Sequence, residues 1–186
     1  MTQSILLAGG KSERMGENKL ALPIDGKPLL CHTIDSVLPL SSKVIVVTGK
    51  YHDEIVQLLE RYPEVTCVHN QRFEQGMFTS VKRGIEEVTE DFLILPADVP
   101  GVSSQTIASL IHHNRGIIVP SYHENRGHPI VFQYRFKDAL LNEPDDSNLK
   151  RFRDRYEFGT LEVNDSGILR DIDTPNDYKR FTIRKD

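Results

Sequence analysis

Lys11, Arg14 and Lys19 place three cations within nine residues, directly behind the pair Gly9-Gly10. Glycines let a backbone turn tightly and aim its N–H groups at an anion, and fixed cations add countercharge. A nucleoside triphosphate brings about four negative charges to be matched. The whole stretch Leu7-Ala8-Gly9-Gly10-Lys11-Ser12-Glu13-Arg14-Met15-Gly16-Glu17-Asn18-Lys19 therefore reads as a nucleotide-binding loop. A solvated strand-to-helix turn with surface charges is the plainer alternative, and the joint presence of glycines and cations weighs against it. Two better-known phosphate loops are excluded by single residues. Gly10-Lys11-Ser12 ends like a Walker A loop, but that motif needs a glycine where Ile5 stands. The dinucleotide pattern G-x-G-x-x-G needs one at position 11 or 12, where Lys11 and Ser12 stand.

Asp98 follows the apolar run Phe92-Leu93-Ile94-Leu95 by three residues. A hard carboxylate oxygen beside a triphosphate is how magnesium is usually held, with phosphates and waters completing its octahedron. Taken alone, Asp98 serves equally well as a turn or cap residue before Pro100; taken with the first loop, the metal role is favoured. A second acidic element is Asp171-Ile172-Asp173-Thr174-Pro175. On an extended segment alternate residues point the same way, so Asp171 and Asp173 can share one cation, and Asp173 is the stronger metal candidate. Acids before a helix start are also favourable without any metal. Thr48 and Asn70, at or just past the ends of two further apolar runs, join the candidate nucleotide contacts, with Gly76 and Ser80 behind them. His128 stands alone ahead of the run Pro129–Gln133, where a single histidine is usually structural or exposed, and His112, His113 and His123 have no zinc-like spacing.

These residues need a frame. Short apolar runs alternate with helical patterns throughout. Strands are expected over Ser4–Ala8, Lys43–Thr48, Thr66–His69, Phe92–Pro96, Ile117–Pro120, Pro129–Gln133 and Thr160–Val163. Helices are expected over Pro28–Leu38, Asp53–Tyr62, Thr79–Val88, Ser104–His113, Phe136–Leu141, Leu149–Arg155 and Asn176–Ile183. The last opens with Thr174 as cap, Pro175 and then Asp177, close to a capping box. Val44-Ile45-Val46-Val47 and Phe92-Leu93-Ile94-Leu95 are apolar throughout, as parallel strands covered on both faces are. The expectation is an α/β fold: a three-layer, Rossmann-like domain over residues 1–186 with a mostly parallel sheet. Ligands of such sheets sit at the carboxyl ends of the strands, which gathers the loops after Ala8, Thr48, His69 and Leu95 at one edge.

The loop Leu7-Ala8-Gly9-Gly10-x-Ser12-x-Arg14-Met15-Gly16-x-x-Lys19, followed by Gly26-Lys27-Pro28-Leu29-Leu30, resembles that of the molybdenum cofactor nucleotidyltransferases. The resemblance runs from Leu6 to about Tyr178. It implies that the loop holds the triphosphate, that basic residues steady the α-phosphate, and that Asp98, in an acid-x-Pro element, binds Mg2+. Arg14, Lys19 and Asp98 become the catalytic candidates; Leu7, Ala8, Gly9, Gly10, Lys11, Arg14, Lys19, Thr48, Asn70, Gly76 and Ser80 the nucleotide contacts. Asp98 and Asp173 are the metal candidates, and His128 faces the acceptor's phosphate or pterin. The segment Gly76-to-Gly84, the run Arg126-Gly127-His128-Pro129-Ile130-Val131-Phe132 and Asp171-Ile172-Asp173 are similar to the cytidylyl branch, whereas Gly9-Gly10 is similar to the guanylyl branch. Asp145-Asp146-Ser147-Asn148-Leu149-Lys150 departs from the Gly-Ala-Arg-like stretch of the cytidylyl branch. The implied reaction is CMP transfer from CTP to molybdopterin or its molybdenum form with release of pyrophosphate. A guanylyl transfer from GTP, or a cytidylyl transfer to another small acceptor, stands beside it.

Composition bounds the alternatives. At 186 residues, 38% hydrophobic and 27% charged, the chain has an ordinary soluble balance and the length to bury a core. A formal charge of −4 argues against gripping nucleic acid through phosphate neutralisation. Cys31 and Cys67 signal neither a disulfide framework nor a zinc ribbon. No apolar run approaches the ~18 residues of a spanning helix, and no basic leader precedes Ser4, so a cytoplasmic protein without membrane partners is expected. A non-catalytic carrier that hands nucleotide or cofactor to a molybdoenzyme or its maturation chaperone is the rival class; the joint presence of Arg14, Lys19 and Asp98 speaks against it. A dehydrogenase lacks its fingerprint.

Overall fold

A computed structural model describes residues 1–183, so the last three positions of the expected domain lie outside them. Ten strands are assigned: β1 (Thr2–Ala8), β2 (Pro23–Ile24), β3 (Lys27–Pro28), β4 (Lys43–Thr48), β5 (Val65–His69), β6 (Asp91–Pro96), β7 (Ile117–Tyr122), β8 (Asn125–Arg126), β9 (Ile130–Phe132) and β10 (Gly159–Glu162). The α-helices are α1 (Leu29–Val37), α2 (His52–Leu59), α3 (Met77–Glu86), α4 (Ser104–His113), α5 (Lys137–Leu141), α6 (Leu149–Arg153) and α7 (Pro175–Ile183). Every expected strand and helix is present, with ends shifted by a few residues. The two-residue strands β2, β3 and β8 carry no pattern from which they could be read.

The main sheet runs β10-β7-β9-β6-β1-β4-β5, with β8 paired to β7. Strands β5, β4, β1 and β6 are parallel neighbours, as are β10 and β7. Strand β9 lies antiparallel between β6 and β7. The sheet is thus mostly parallel, and its apolar strands are buried on both faces. Alternation along each strand sorts the side chains. Leu6, Val44, Val46, Leu93, Leu95 and Val131 face one core, which α1, α2, α4 and α7 cover. Ile5, Ile45, Val47, Ile94, Ile130 and Phe132 face the other, which α3, α5 and α6 cover. That is the three-layer arrangement.

Two local devices fix the site. Gly84 sits where a Cβ would come within 2.5 Å of Ile5 Cγ2, so α3 lies directly on β1. The start of α7 is a reciprocal cap: Asp177 accepts from the Thr174 amide at 2.9 Å, and Thr174 Oγ1 accepts from the Asp177 amide at 3.2 Å. The chain leaves β1 toward β4 and β5, and leaves β6 the other way, toward β7. The crevice between two such diverging loops is where open α/β sheets bind ligands.

Candidate active site

The loop after β1 and the residues after β6 enclose a cavity of about 390 Å³ at the carboxyl edge of the sheet. Leu7, Ala8, Gly9, Gly10, Lys11, Arg14 and Lys19 line it, together with Ser80, Asp98 and Asp173. Glycine is required at the back of this wall. A Cβ on Gly9 would stand 2.8 Å from Ser80 Oγ, and one on Gly49 would stand 2.7 Å from the Gly9 carbonyl oxygen. The chain just past β1 and β4 therefore meets backbone to backbone at Gly9 and Gly49, and the Ser80 side chain of α3 packs directly on Gly9. Farther along the loop, Ser12 and Gly16 adopt positive φ, and the Ser12 carbonyl accepts from the Met15 and Gly16 amides. This compact turn brings Lys19 back over the strand ends.

Lys19 is only 8% exposed and its ammonium lies between two carboxylates. Nζ donates to Asp98 Oδ2 at 2.5 Å and to Asp173 Oδ1 at 2.7 Å. Arg14 donates to the other oxygen of Asp173 at 2.8 Å. Burial alone would pull the Lys19 pKa down; the charges and hydrogen bonds of Asp98 and Asp173 outweigh it and hold the group above its ordinary value. The Lys19 hydrogen bond likewise keeps the Asp173 carboxyl below the usual carboxylate range, with Arg14 adding to the effect. Two hard carboxylates converge on one cation, so the donor set fits a divalent ion that takes its remaining ligands from phosphates and water. Among the described residues no group of three or more His, Cys, Asp or Glu is placed to hold a metal without such help.

A second cavity, of about 470 Å³, shares Leu7, Met77, Pro96, Asp98 and Asp173 with the first. His128 lines it, as do Arg126, Asp171 and the segment Ser147–Lys150. His128 Nδ1 is buried with no hydrogen-bond partner among the described residues. Burial pushes this imidazole below its ordinary value, against the opposing pull of Asp98 and Asp171. Asp171 and Asp173 do face one side, both lining this cavity around the buried Ile172, but only Asp173 reaches Lys19.

Three of the expected nucleotide contacts lie elsewhere. Thr48 is fully buried, its hydroxyl bonded to His52 Nδ1 and to the Val68 carbonyl. Asn70 is buried too: its amide donates to Thr79 and Ser80, and its oxygen accepts from the Arg72 amide. Both side chains are satisfied internally and line neither cavity; Asn70 instead holds Ser80 in the wall. Gly76 lines neither cavity and takes a positive φ of 119° to turn the chain into α3. Phe73 and Met77 line the first cavity without having been foreseen. Met77 is 73% exposed, and a single exposed apolar residue at the first position of a helix carries no periodic signal. Arg126 stood within a recognisable run, and its placement beside His128 is what brings it into the site.

Residues 4–160 match the MobA-like NTP transferase domain family. The chain is 29% identical over 176 residues to the molybdenum cofactor cytidylyltransferase of Escherichia coli (strain K12), covering 94% of this chain and 92% of that one. It is 24% identical over 202 residues to a probable molybdenum cofactor guanylyltransferase of Natranaerobius thermophilus, covering 95% and 93%. The crystal structure of Rv0371c from Mycobacterium tuberculosis H37Rv superposes with a TM-score of 0.88 at 21% identity, covering 98% of this chain and 97% of that chain. Rv0371c in complex with manganese superposes at 0.85, with 20% identity and 98% of each chain covered. At these identities the superpositions speak for the fold, while the family match spans most of β1, the glycine–cation loop, Asp98 and the strands through β9. The chain belongs to the MobA-like NTP transferase family.

Proposed function

We propose that this protein transfers CMP from CTP to molybdopterin, or to its molybdenum form, with release of pyrophosphate. The observation that carries the reading is the meeting of two cavities at Asp98 and Asp173, beside Lys19. One takes the triphosphate against Gly9, Gly10, Lys11, Arg14 and Lys19; the other, lined by His128, takes the acceptor. An acceptor phosphate is already ionised near neutral pH, since the second pKa of a phosphomonoester is about 6, so no strong general base is needed. An acceptor phosphate oxygen attacks the α-phosphorus in line, a new P–O bond forms, and the bond to the α,β-bridging oxygen breaks to expel pyrophosphate.

Lys19 and Arg14 are the catalytic residues of this scheme. They leave Asp98 and Asp173 for the phosphates and counter the charge that spreads over the α-phosphoryl oxygens. Asp98 and Asp173 would hold Mg2+, which when bound neutralises phosphate charge and polarises the α-phosphoryl group. The backbone amides after Gly9 fix the phosphate chain, and Ser80, held by Asn70, presents its hydroxyl to the same cavity. His128, kept neutral by burial, offers Nδ1 to the acceptor.

The pair Gly9-Gly10 favours a second reading in which GTP is the donor, and the guanylyltransferase likeness lends it weight. Pyrophosphate release measured with each of the four NTPs, Mg2+ and molybdopterin separates the two. CTP is expected to support turnover and GTP to lag at least about tenfold, a difference of about 1.4 kcal/mol in transition-state binding. Turnover with GTP alone would overturn the cytidylyl assignment, and loss of activity on Asp98→Asn is expected with either donor.

A further inference from the structure

The second cavity is walled on one side by Ser147–Lys150, a stretch that begins just after Asp145. Asp145 bridges two elements that flank the first cavity. Its Oδ1 accepts from Lys82 Nζ of α3 at 2.7 Å, and its Oδ2 accepts from Arg72 at 2.9 Å. Lys82 is 14% exposed, so this pair sits partly out of solvent. Arg72 adjoins Phe73, which lines the first cavity, and α3 supplies Met77 to both.

The two sides of this bridge are anchored unequally. On the nucleotide side, the Arg72 amide donates to Asn70 Oδ1 and its carbonyl accepts from Thr79 Oγ1, so that loop keeps its shape without Asp145. On the acceptor side the remaining polar bonds stay within the segment and its own neighbours. Ser147 bonds to Glu143 and to the Pro144 carbonyl, Glu143 pairs with Arg155, and Asn148 caps α6 through the Arg151 amide. Among the described residues, the side-chain hydrogen bonds from this segment to α3 and to the loop after β5 both run through Asp145. Leu149 adds an apolar contact to the core beneath.

We infer that Asp145 is a positioning residue for acceptor binding: its carboxylate clamps the Ser147–Lys150 wall against α3, so that the acceptor cavity keeps its shape beside the nucleotide. The inference rests on the transferase reading for its kinetic test and on geometry alone for its structural one. With CTP and molybdopterin as substrates, Asp145→Asn is expected to raise the acceptor KM about fivefold, the upper range for a partly exposed ion pair, with kcat and the CTP KM within about twofold. Asp145→Glu, which keeps the charge, should recover most of the loss. Glu87→Gln, which breaks the pairs with Arg83 and Lys43 at the far end of α3, serves as a stability control and should leave the acceptor KM alone.

Amide hydrogen exchange supplies a readout independent of activity. In Asp145→Asn the amides of residues 147–150 should exchange faster while those of residues 78–86 in α3 do not. An unchanged acceptor KM, an equal rise in both KM values, or the same shift in the Glu87→Gln control would overturn the clamp. A wild-type protein that releases pyrophosphate with no NTP and molybdopterin overturns the transferase reading alone. The clamp is then judged on exchange, and unchanged protection at 147–150 sinks it.

Discussion

At the scale of single residues the site is a charge balance around Lys19. Two carboxylates held 2.5 and 2.7 Å from one ammonium would repel each other without it, and the ammonium would lose charge to burial without them. The two acids hold the Lys19 ammonium charged, and Lys19 with Arg14 in turn keeps the Asp173 carboxyl below its usual range. His128 shows the opposite solution, because burial there wins over the nearby acids and the ring stays neutral. Its folded pKa lies below the unfolded value of about 6.5, so the unfolded chain binds the proton more readily. Stability must therefore fall as pH drops from about 6.5 toward the folded value, and is unaffected by this group above that window. Urea unfolding at pH 7.5 and pH 5.5 should show a smaller acid loss in His128→Gln than in the wild type; equal losses would exclude the effect.

Position was legible in the sequence for charged side chains at the strand ends, and less so for small polar side chains that can bond within the protein. Lys11, Arg14, Lys19, Asp98, Asp173 and Ser80 were found from type and position, and all reach the first cavity. Thr48 and Asn70 occupy the right strand ends but turn inward. A buried hydroxyl or amide at a strand end finds its nearest partners in the adjoining turn, and that local bond outcompetes an outward pose.

At the scale of elements, the decisive contact is α3 on β1. Gly84 permits it, and α3 in turn carries Met77 and Ser80 to the cavities. Gly84→Ala would push a methyl to 2.5 Å from Ile5 and 3.0 Å from Val47, both buried and backed by neighbours. A destabilisation of about 1–3 kcal/mol is expected from such overpacking, read as a lower urea midpoint with an unchanged m-value. A neutral or stabilising result would show that α3 can ride outward freely. Strands β1, β4 and β6 were readable because each carries four consecutive apolar residues. The direction of β9 was not, since Ile130-Val131-Phe132 has the same apolar pattern run either way and only its neighbours β6 and β7 reveal that it is antiparallel.

At the scale of the whole molecule, the three-layer fold and its binding edge followed from the order of strands and helices, whereas the second cavity did not. That cavity is assembled from residues between 7 and 173 that no local pattern links. Binding at the first cavity should register in the stability of the entire chain. A nucleotide at 100 times its Kd adds about 2.7 kcal/mol, which for a protein of this size raises Tm by roughly 5–10 °C. A melting panel of the four NTPs with Mg2+ is expected to show the largest shift with CTP, and equal shifts for all four would argue against base selection. Among the described residues no helix is long and apolar enough to cross a membrane.

Lys19 and Asp173 touch across 154 positions of sequence. During synthesis, which proceeds at about 5–20 residues per second, the glycine–cation loop is made roughly 8–30 seconds before its acidic partner. Through that interval the nascent protein holds the loop and its cations with only part of the carboxylate pair that flanks Lys19. On the transferase reading, the carboxylate pair is complete only once the segment that starts α7 has been made and has folded back onto Lys19.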